Sequence, residues 1–261
     1  MTSRAAELAR TLAERHAART TFTSIFDEGE AAELPLAYDV QDHFVASLLA
    51  SGAKPGGYKV GLTTKRMQAL CGVEEPISGV VLSNRIYTAP ASFQVANYVR
   101  LGVESEMAVR IGPNVGERAM PKDLPLAEFI DQVCASFELV EDSGADYKRL
   151  SAASIVADNS WNAGLVFGAP VPISAFEHLR GRRGALRLNG EVVNEGVSDE
   201  VLGDPLNAVR WLDGHLRRRG VALKPGDWVS TGAIVPTRFV APGETYVFDL
   251  DGLPPTELRL V

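Results

Sequence analysis

The spacing of apolar residues predicts helices in the N-terminal part of the chain. Residues Arg4–Arg19 are rich in Ala, Leu, Glu and Arg, which all favour a helix. From about Leu36 to Ser51, apolar residues recur at the i, i+4 spacing of one helix face, at Val40, Phe44 and Leu48. Because this spacing places apolar side chains in one stripe, we expect two helices that pack on a core.

Strands and one further helix are predicted in the middle of the chain. Val103–Ile111 is a mostly apolar stretch typical of a strand, and Leu126–Ala135 is predicted as a helix leading into a strand at about Phe137–Glu141. Another helix begins after Asp204, because Asp204 is a favourable N-cap and Pro205 suits the first helical position.

Turn residues punctuate the C-terminal half and predict short strands. Asn189-Gly190 separates two strand-like segments and is a strong hairpin signal. Further turn pairs follow at Pro225-Gly226, Pro242-Gly243 and Asp251-Gly252. Such repeated turns indicate a rolled or sandwiched β-core. We expect one α+β unit over residues 1–261, with a helical N-terminal region (1–55) and a β-rich core (56–261).

Charge and composition exclude several classes of function. The chain has 33 acidic and 26 basic residues, a net charge of −7, which argues against nucleic acid or an anionic membrane as a partner. The basic triplet Arg217–Arg219 is better explained as the last turn of the helix after Asp204. Two cysteines without a CxxC pair indicate neither a disulfide framework nor a zinc site. Without a signal peptide or an apolar span, we expect a cytoplasmic protein.

Three glutamates are candidate metal ligands. Glu104 and Glu106 stand two apart in a predicted strand, so both carboxylates project from the same face. Such a pair repels unless a cation neutralises it, and Mg²⁺ or Mn²⁺ prefers oxygen ligands, although a solvated sheet face is the alternative. Glu138 adds a third carboxylate inside an apolar strand, where acids are rarely buried unless paired or metal-bound. Asp142, at the strand end, is predicted to lie in a solvated loop.

Lys59 is the candidate acid/base residue. It lies in GYKVGLT (57–63), between glycines and alternating with apolar neighbours. A lysine in such a strand can point into a cleft, where its pKa is brought towards the range of proton transfer. A surface lysine on a strand is the alternative.

Several sequence blocks together resemble the 2-keto-4-pentenoate hydratases and 4-oxalocrotonate decarboxylases of the fumarylacetoacetate hydrolase superfamily. Over roughly residues 35–261, they follow one another in the family's order and approximate spacing. The blocks are GYKVGLT, VESEMAVRIG (103–112), SFELVED (136–142), VADNSWNAGLVFG (156–168), LGDPLNAVRWL (202–212) and PGDWVSTGAIV (225–235).

The resemblance implies a fold, a cofactor and partners. The superfamily fold is a mixed β-roll that carries the metal site. Glu104, Glu106 and Glu138 match the three family carboxylates that bind Mg²⁺ or Mn²⁺, and Lys59 matches the family lysine proposed for acid/base work. The resemblance also implies a small anionic 2-oxo acid as substrate, a homo-oligomer, and a possible complex with a decarboxylase or hydratase partner.

Four further residues are candidates for substrate binding. Asn84 stands where many relatives carry an acid, and Thr231 stands where a serine is common. Asp158 and Asn159 match a recurrent block of the family, although a turn held by Asx hydrogen bonds is the alternative.

The function that the resemblance implies is hydration of 2-hydroxypenta-2,4-dienoate-type 2-keto enoates to 4-hydroxy-2-oxo acids, in meta-cleavage degradation of aromatic compounds. Decarboxylation of 4-oxalocrotonate is the alternative; it needs a second anion site, for which Arg85, Arg110 and Lys65 are candidates. Acylpyruvate C–C hydrolysis needs a base to activate water, and no histidine is persuasive, since His16 and His215 are predicted on surface helices. A non-catalytic partner subunit is disfavoured because the three glutamates and Lys59 are retained.

Overall fold

Six helices lie within the part of the chain that the computed structural model describes, residues 2–26, 33–50, 52–116, 119–120 and 125–261. They are α1 (Arg4–Ala18), α2 (Leu34–Leu49), α3 (Lys65–Leu70), α4 (Leu126–Phe129), α5 (Ala152–Ala157) and α6 (Pro205–Arg218). None of these helices has the length and apolarity needed to cross a membrane.

The strands of the same ranges form two sheets. The strands are β1 (Pro55–Gly61), β2 (Ile77–Leu82), β3 (Ile86–Thr88), β4 (Ala91–Phe93), β5 (Leu101–Ile111), β6 (Ile130–Glu141), β7 (Asn162–Phe167), β8 (Val171–Pro172), β9 (Arg183–Leu188), β10 (Glu191–Val197), β11 (Trp228–Phe239), β12 (Thr245–Leu250) and β13 (Thr256–Leu260). The larger sheet has the order β2-β1-β11-β5-β6-β7-β3, with β8 paired to β6, and the smaller has the order β10-β9-β12-β13-β4.

Side-chain caps fix the start of the two longest capped helices. Ser3 Oγ accepts a hydrogen bond from the Ala6 amide at 3.2 Å at the start of α1. Asp204 Oδ1 accepts one from the Leu206 amide at 2.9 Å at the start of α6, with Pro205 in the first turn. These caps satisfy amides that have no partner within the helix. The helices predicted over Arg4–Arg19, from Leu36 and after Asp204 are confirmed, although Ser51, the predicted end of α2, lies outside the described residues.

The two faces of the larger sheet pack against different layers. On one face, Phe137 of β6 packs against Phe248 of the smaller sheet, with ring centroids 6.2 Å apart, and Leu212 of α6 joins this core. On the other face, residues of α1, α2 and α5 form a separate core that includes Val140 and Trp161. The α+β class, the mixed β-roll and the N-terminal helices are confirmed, whereas the division at residue 55 stays a prediction.

The helix predicted over Leu126–Ala135 is wrong beyond Phe129. The chain is helical only over Leu126–Phe129, and Ile130–Glu141 forms β6, which pairs with β5 along its whole length. Val133, Cys134 and Ala135 are all fully buried. A strand covered on both faces has no alternation of polar and apolar residues, so periodicity does not distinguish it from a buried helix.

Two polar residues predicted to be at the surface are buried. Asp142 is not in a solvated loop: it is fully buried and accepts hydrogen bonds from Nε and Nη2 of Arg100, at 2.7 and 2.5 Å. His215 is also buried, with its ring stacked on Trp211 at 4.9 Å. Burial, together with nearby arginines, lowers the pKa of His215 to about 4, so its imidazole is neutral at pH 7.

The contact between the two sheets predicts a large loss of stability in the variant Phe137→Ala. Phe137 is fully buried, and truncating such a side chain leaves a cavity that costs about 3–5 kcal/mol. Phe239→Ala is the matched control, because Phe239 is 44% exposed and its ring packs against Arg100 and Tyr147 rather than in the core between the sheets. Its expected cost is about 1 kcal/mol or less. Denaturant unfolding measures both, and equal losses would contradict this packing.

Candidate metal centre

Three carboxylates meet on one face of the larger sheet. Glu104 of β5 is paired directly with Glu138 of β6, so their side chains lie side by side. Glu106 is two residues further along β5 and therefore projects from the same face. Each residue offers a carboxylate oxygen, and these three oxygens lie within 4.8 Å of one another. Glu106 and Glu138 are fully buried, and Glu104 is partly exposed.

Lys59 lies beside the three glutamates. It is on β1, where it pairs with Ser230 of β11, the neighbouring strand to β5. Its Nζ is 3.3 Å from Glu138 Oε2, and the residue is only 4% exposed. Burial on its own would lower the pKa of Lys59, but the three carboxylates outweigh it and raise the pKa. The expectation that the pKa of Lys59 is brought down towards the range of proton transfer is therefore wrong, and its ammonium group is charged at neutral pH.

Hydrogen bonds from neighbouring strands fix the orientation of each carboxylate. Glu106 Oε2 accepts from Ser230 Oγ at 2.5 Å and from the Gly232 amide at 2.9 Å. Glu138 Oε1 accepts from Asn162 Nδ2 at 2.9 Å, and Glu104 Oε1 accepts from Thr237 Oγ1. Hydrogen bonds of this kind hold a metal ligand in one orientation and tune its affinity.

Gly232 has the backbone that this arrangement requires. Its φ of +119° lies in a region that residues other than glycine rarely adopt. A Cβ atom at this position would lie 2.5 Å from Thr63 Cγ2. The strand bulges at this point, between the pairs Ser230↔Ala108 and Ala233↔Glu106. The bulge is what allows both Ser230 and the Gly232 amide to reach the same carboxylate oxygen.

A left-handed turn precedes Asn162. Asn159, Ser160 and Trp161 have φ values of 46°, 52° and 59°, an unfavourable conformation for three consecutive residues. Hydrogen bonds to β2 offset the cost of this conformation. Asn159 Oδ1 accepts from the Val80 N–H, and Asn159 Nδ2 donates to the Val80 carbonyl, both at 2.8 Å. Ser160 Oγ donates to the Ser78 carbonyl at 2.8 Å. The turn therefore fixes where β7 begins, and with it the amide that orients Glu138.

The carboxylates behave as crowded, desolvated acids. Burial raises the pKa of Glu106 well above its usual range, and Glu138 and Glu104 raise it further, whereas Lys59 opposes the shift. Burial raises the pKa of Glu138 to about 7, although Lys59 opposes this shift as well. Both shifts mean that the negative charge at this position costs free energy, which a bound cation would offset.

The donor set fits a hard divalent cation. Glu106 Oε1 and Glu138 Oε2 are buried and have no hydrogen-bond partner among the described residues, although Lys59 Nζ forms an ion pair with the second. Buried carboxylate oxygens without donors are costly unless a cation takes them up. All three groups are oxygen ligands, which Mg²⁺ and Mn²⁺ prefer over softer donor atoms. Glu104, Glu106 and Glu138 are thus the residues that would hold such an ion.

The other predicted site residues lie in different positions. Asp158 Oδ1 is 2.6 Å from His16 Nε2, and Asn159 is fully engaged with Val80, so both hold the turn before β7. Thr231 is buried on β11, but its Oγ1 donates to the Met107 carbonyl. Asn84 is exposed on a 3₁₀ turn beyond the end of β2. Their substrate-binding roles stay predictions.

Four groups around the carboxylates were not predicted from the sequence: Ser230, the Gly232 amide, Asn162 and Thr237. Ser230 and Gly232 flank Thr231 in a block that the sequence analysis did single out. Because neighbouring residues of a strand face opposite sides of a sheet, Ser230 was an alternative to Thr231 as the residue that faces the carboxylates. No sequence signal reliably predicts the bulge that brings in the Gly232 amide. Thr237 stands outside all of the family-like blocks.

Comparison with known proteins places this site in a family. The model described as "Fumarylacetoacetate (FAA) hydrolase C-terminal" matches residues 63–261 of this chain. The chain belongs to the fumarylacetoacetate hydrolase family. The resemblance that the sequence blocks indicated is therefore confirmed, and membership of this family also accounts for the two curled sheets.

Two relatives that match most of the chain are named for two different activities. The 2-keto-4-pentenoate hydratase of Burkholderia vietnamiensis is 29% identical over 249 residues, which cover 95% of this chain and 94% of that protein. A 4-oxalocrotonate decarboxylase of Pseudomonas putida is 29% identical over 226 residues, or 86% of this chain and 84% of that one.

A solved structure is similar over the full chain. The 4-oxalocrotonate decarboxylase from Pseudomonas putida G7, complexed with magnesium and adipate, superposes with a TM-score of 0.90 at 26% identity. The match covers 100% of this chain and 99% of that one. The chain is accordingly an enzyme of this family, with lyases among its relatives.

Removing one carboxylate charge is expected to weaken divalent-ion binding. The variants Glu106→Gln and Glu138→Gln keep the shape of the side chain but lose a charged ligand, so Mg²⁺ affinity should fall by more than about tenfold. Glu195→Gln is the control, because Glu195 is an exposed glutamate on β10. Isothermal titration with Mg²⁺ measures the affinities. Unchanged affinity in both site variants would rule out these ligands.

Proposed function

We propose that this enzyme is a Mg²⁺-dependent hydratase that adds water to 2-hydroxypenta-2,4-dienoate or a close 2-keto enoate, giving the 4-hydroxy-2-oxo acid. The observation that supports it most is the group of three carboxylates, two of them fully buried, with Lys59 Nζ 3.3 Å from Glu138 Oε2. This arrangement combines a site for a divalent cation with a charged proton donor. The hydratase relatives, which match nearly the whole chain, support the same reaction.

A 2-oxo acid suits this donor set. Its carboxylate and 2-oxo oxygens are adjacent, so both can bind one cation in a chelate. When bound, the divalent cation would supply Lewis-acid stabilisation of the negative charge that develops on the 2-oxo oxygen. The protein would set where this charge develops by holding the ligands of the cation in place. Ser230 and the Gly232 amide orient Glu106, and Asn162 orients Glu138.

Lys59 is proposed to move the proton. Its pKa is raised by the three carboxylates, so it enters the reaction as an ammonium group and can donate a proton to the dienol carbon framework. Donation at C5 of 2-hydroxypenta-2,4-dienoate, with loss of the enol proton, gives the 2-oxo-3-enoate. Water then adds across C3 and C4, with its oxygen on C4 and a proton on C3, to give 4-hydroxy-2-oxopentanoate. One water is consumed and no oxidant or reductant is needed.

Decarboxylation of 4-oxalocrotonate is the second candidate. The similarity of the whole chain to a decarboxylase structure that contains adipate, a dicarboxylate, favours it. A dicarboxylate substrate calls for a cation near its distal end. Of the three predicted cations, Arg110 Nη1 lies 3.6 Å from Asp131 and Lys65 Nζ donates to Gln68 at 3.0 Å. Arg85 is half-buried next to β3. Because Arg110 and Lys65 already contact protein groups, a distal carboxylate has fewer candidate cations, and hydration is favoured over decarboxylation.

Two weaker alternatives receive less support. For C–C hydrolysis, His16 is paired with Asp158, and His215 is stacked between aromatic rings in the core. No hydrogen bond joins either histidine to the three carboxylates in the described part of the chain. A non-catalytic subunit would have no need for a buried lysine beside three glutamates. Assembly into a homo-oligomer, and a complex with a decarboxylase or hydratase partner, stay predictions.

The deciding experiment compares the two substrates. Purified enzyme with Mg²⁺ is given freshly generated 2-hydroxypenta-2,4-dienoate or 4-oxalocrotonate, and ultraviolet absorbance, 4-hydroxy-2-oxopentanoate and CO₂ are followed. The proposal expects metal-dependent loss of the dienoate with formation of the hydroxy acid and no CO₂. Turnover of 4-oxalocrotonate alone, with CO₂ release, would assign the decarboxylase instead, and inactivity on both would leave this substrate class without support.

Replacing Lys59 separates chemistry from metal binding. Lys59→Met keeps much of the side-chain volume but removes the proton donor, so kcat should fall by about 100-fold or more. Mg²⁺ affinity should stay equal or become tighter, because a positive charge beside the carboxylates has gone. Lys54→Met is the control, since Lys54 is exposed just before β1. A kcat within threefold of wild type in Lys59→Met would remove Lys59 from the mechanism.

A further inference from the structure

Ser136 lies on the same face of the sheet as the three carboxylates. It is on β6, two residues before Glu138, and it pairs directly with Glu106 of β5. Both relations place its side chain on the face that carries the carboxylates. Ser136 is fully buried. Neither the sequence blocks nor the hydrogen bonds described above give it a role.

The hydroxyl of Ser136 has no hydrogen-bond partner within the described ranges. Glu106 Oε1, on the residue paired with Ser136, also accepts no hydrogen bond, and neither does Glu138 Oε2, although Lys59 Nζ forms an ion pair with the latter at 3.3 Å. A buried hydroxyl without a partner is costly, so such a group in a native fold calls for an explanation. A ligand bound beside the carboxylates would give the Ser136 hydroxyl an acceptor.

Apolar side chains cover the other side of Ser136. Further along the same face lies a small cluster of buried apolar side chains: Val81, Ala108, Cys134, Leu165 and Phe167. Phe167 is the residue paired with Ser136 on β7, and Leu165 is paired with Glu138. Ser136 therefore stands at the boundary between the charged group and an apolar patch.

We propose that Ser136 is a substrate-binding residue, whose hydroxyl donates a hydrogen bond to an oxygen of a 2-oxo acid held at the carboxylate centre. The inference rests on the proposed function, and it deepens it by dividing the substrate between two surfaces. The oxygen-bearing end lies against the carboxylates and Ser136, and the hydrocarbon tail lies against the apolar cluster. This favours a 2-oxo acid with a short uncharged tail.

A pair of serine variants tests the proposal. Ser105 is one strand away, equally buried, and its hydroxyl also has no partner in the described part of the chain. It pairs with Phe137, however, and so faces the core between the two sheets. Ser136→Ala and Ser105→Ala therefore remove the same atom from opposite faces. Titration with Mg²⁺, and then with 2-oxopentanoate at saturating Mg²⁺, measures both affinities by calorimetry.

Ser136→Ala should leave Mg²⁺ affinity within about twofold of wild type and weaken 2-oxopentanoate by about tenfold, the effect of losing one hydrogen bond to a charged ligand. With substrate, KM should rise more than kcat falls. Ser105→Ala should change neither affinity. Unchanged 2-oxopentanoate binding in Ser136→Ala would overturn the proposal and assign the hydroxyl to a bound water. Weaker Mg²⁺ binding would overturn it as well, because Ser136 would then support the cation.

A different result of the same titrations would contradict the proposed function. If the wild-type enzyme binds Mg²⁺ but not 2-oxopentanoate, the 2-oxo acid class is wrong, and the role of Ser136 falls with it. If wild type binds both and Ser136→Ala behaves like wild type, only the role of Ser136 is wrong.

Discussion

The site depends on three carboxylates that are held close together on one face of the larger sheet. Glu104, Glu106 and Glu138 present oxygens within 4.8 Å of one another, and two of them are fully buried. When all three are ionised, Lys59 offsets only one of three negative charges. Hydrogen bonds from β11 and β7 lower the cost further without cancelling it. The remaining imbalance of negative charge favours the binding of a divalent cation at this position.

The fold provides a separate surface for each requirement of the centre. One face of the larger sheet is committed to the core with the smaller sheet, where Phe137 meets Phe248. The opposite face is therefore free to carry polar groups, and the N-terminal helices pack against part of it through residues such as Val140. Along β5 and β6, residues that pack in the core alternate with residues that carry the carboxylates. This is possible because successive side chains of a strand point to opposite faces of the sheet.

The sequence predicted the members of the centre better than it predicted their surroundings. Glu104, Glu106 and Lys59 stand in segments whose alternation already indicates a strand, and Glu138 is conspicuous among apolar neighbours. Asn162 and the Gly232 amide could not be found in the same way, because a left-handed turn and a β-bulge bring them to the carboxylates. The same limit explains the wrong helix over Leu126–Ala135: pairing with β5 outweighs local preference in a strand buried on both faces.

Crystals soaked in Mn²⁺ and measured at the manganese absorption edge test most directly whether the three glutamates bind a divalent cation. Mn²⁺ replaces Mg²⁺ at oxygen-ligand sites, and its anomalous signal locates the ion independently of the protein atoms. We expect one dominant anomalous peak among the carboxylate oxygens of Glu104, Glu106 and Glu138, next to Lys59. A peak bound elsewhere, with none among these three residues, would contradict it.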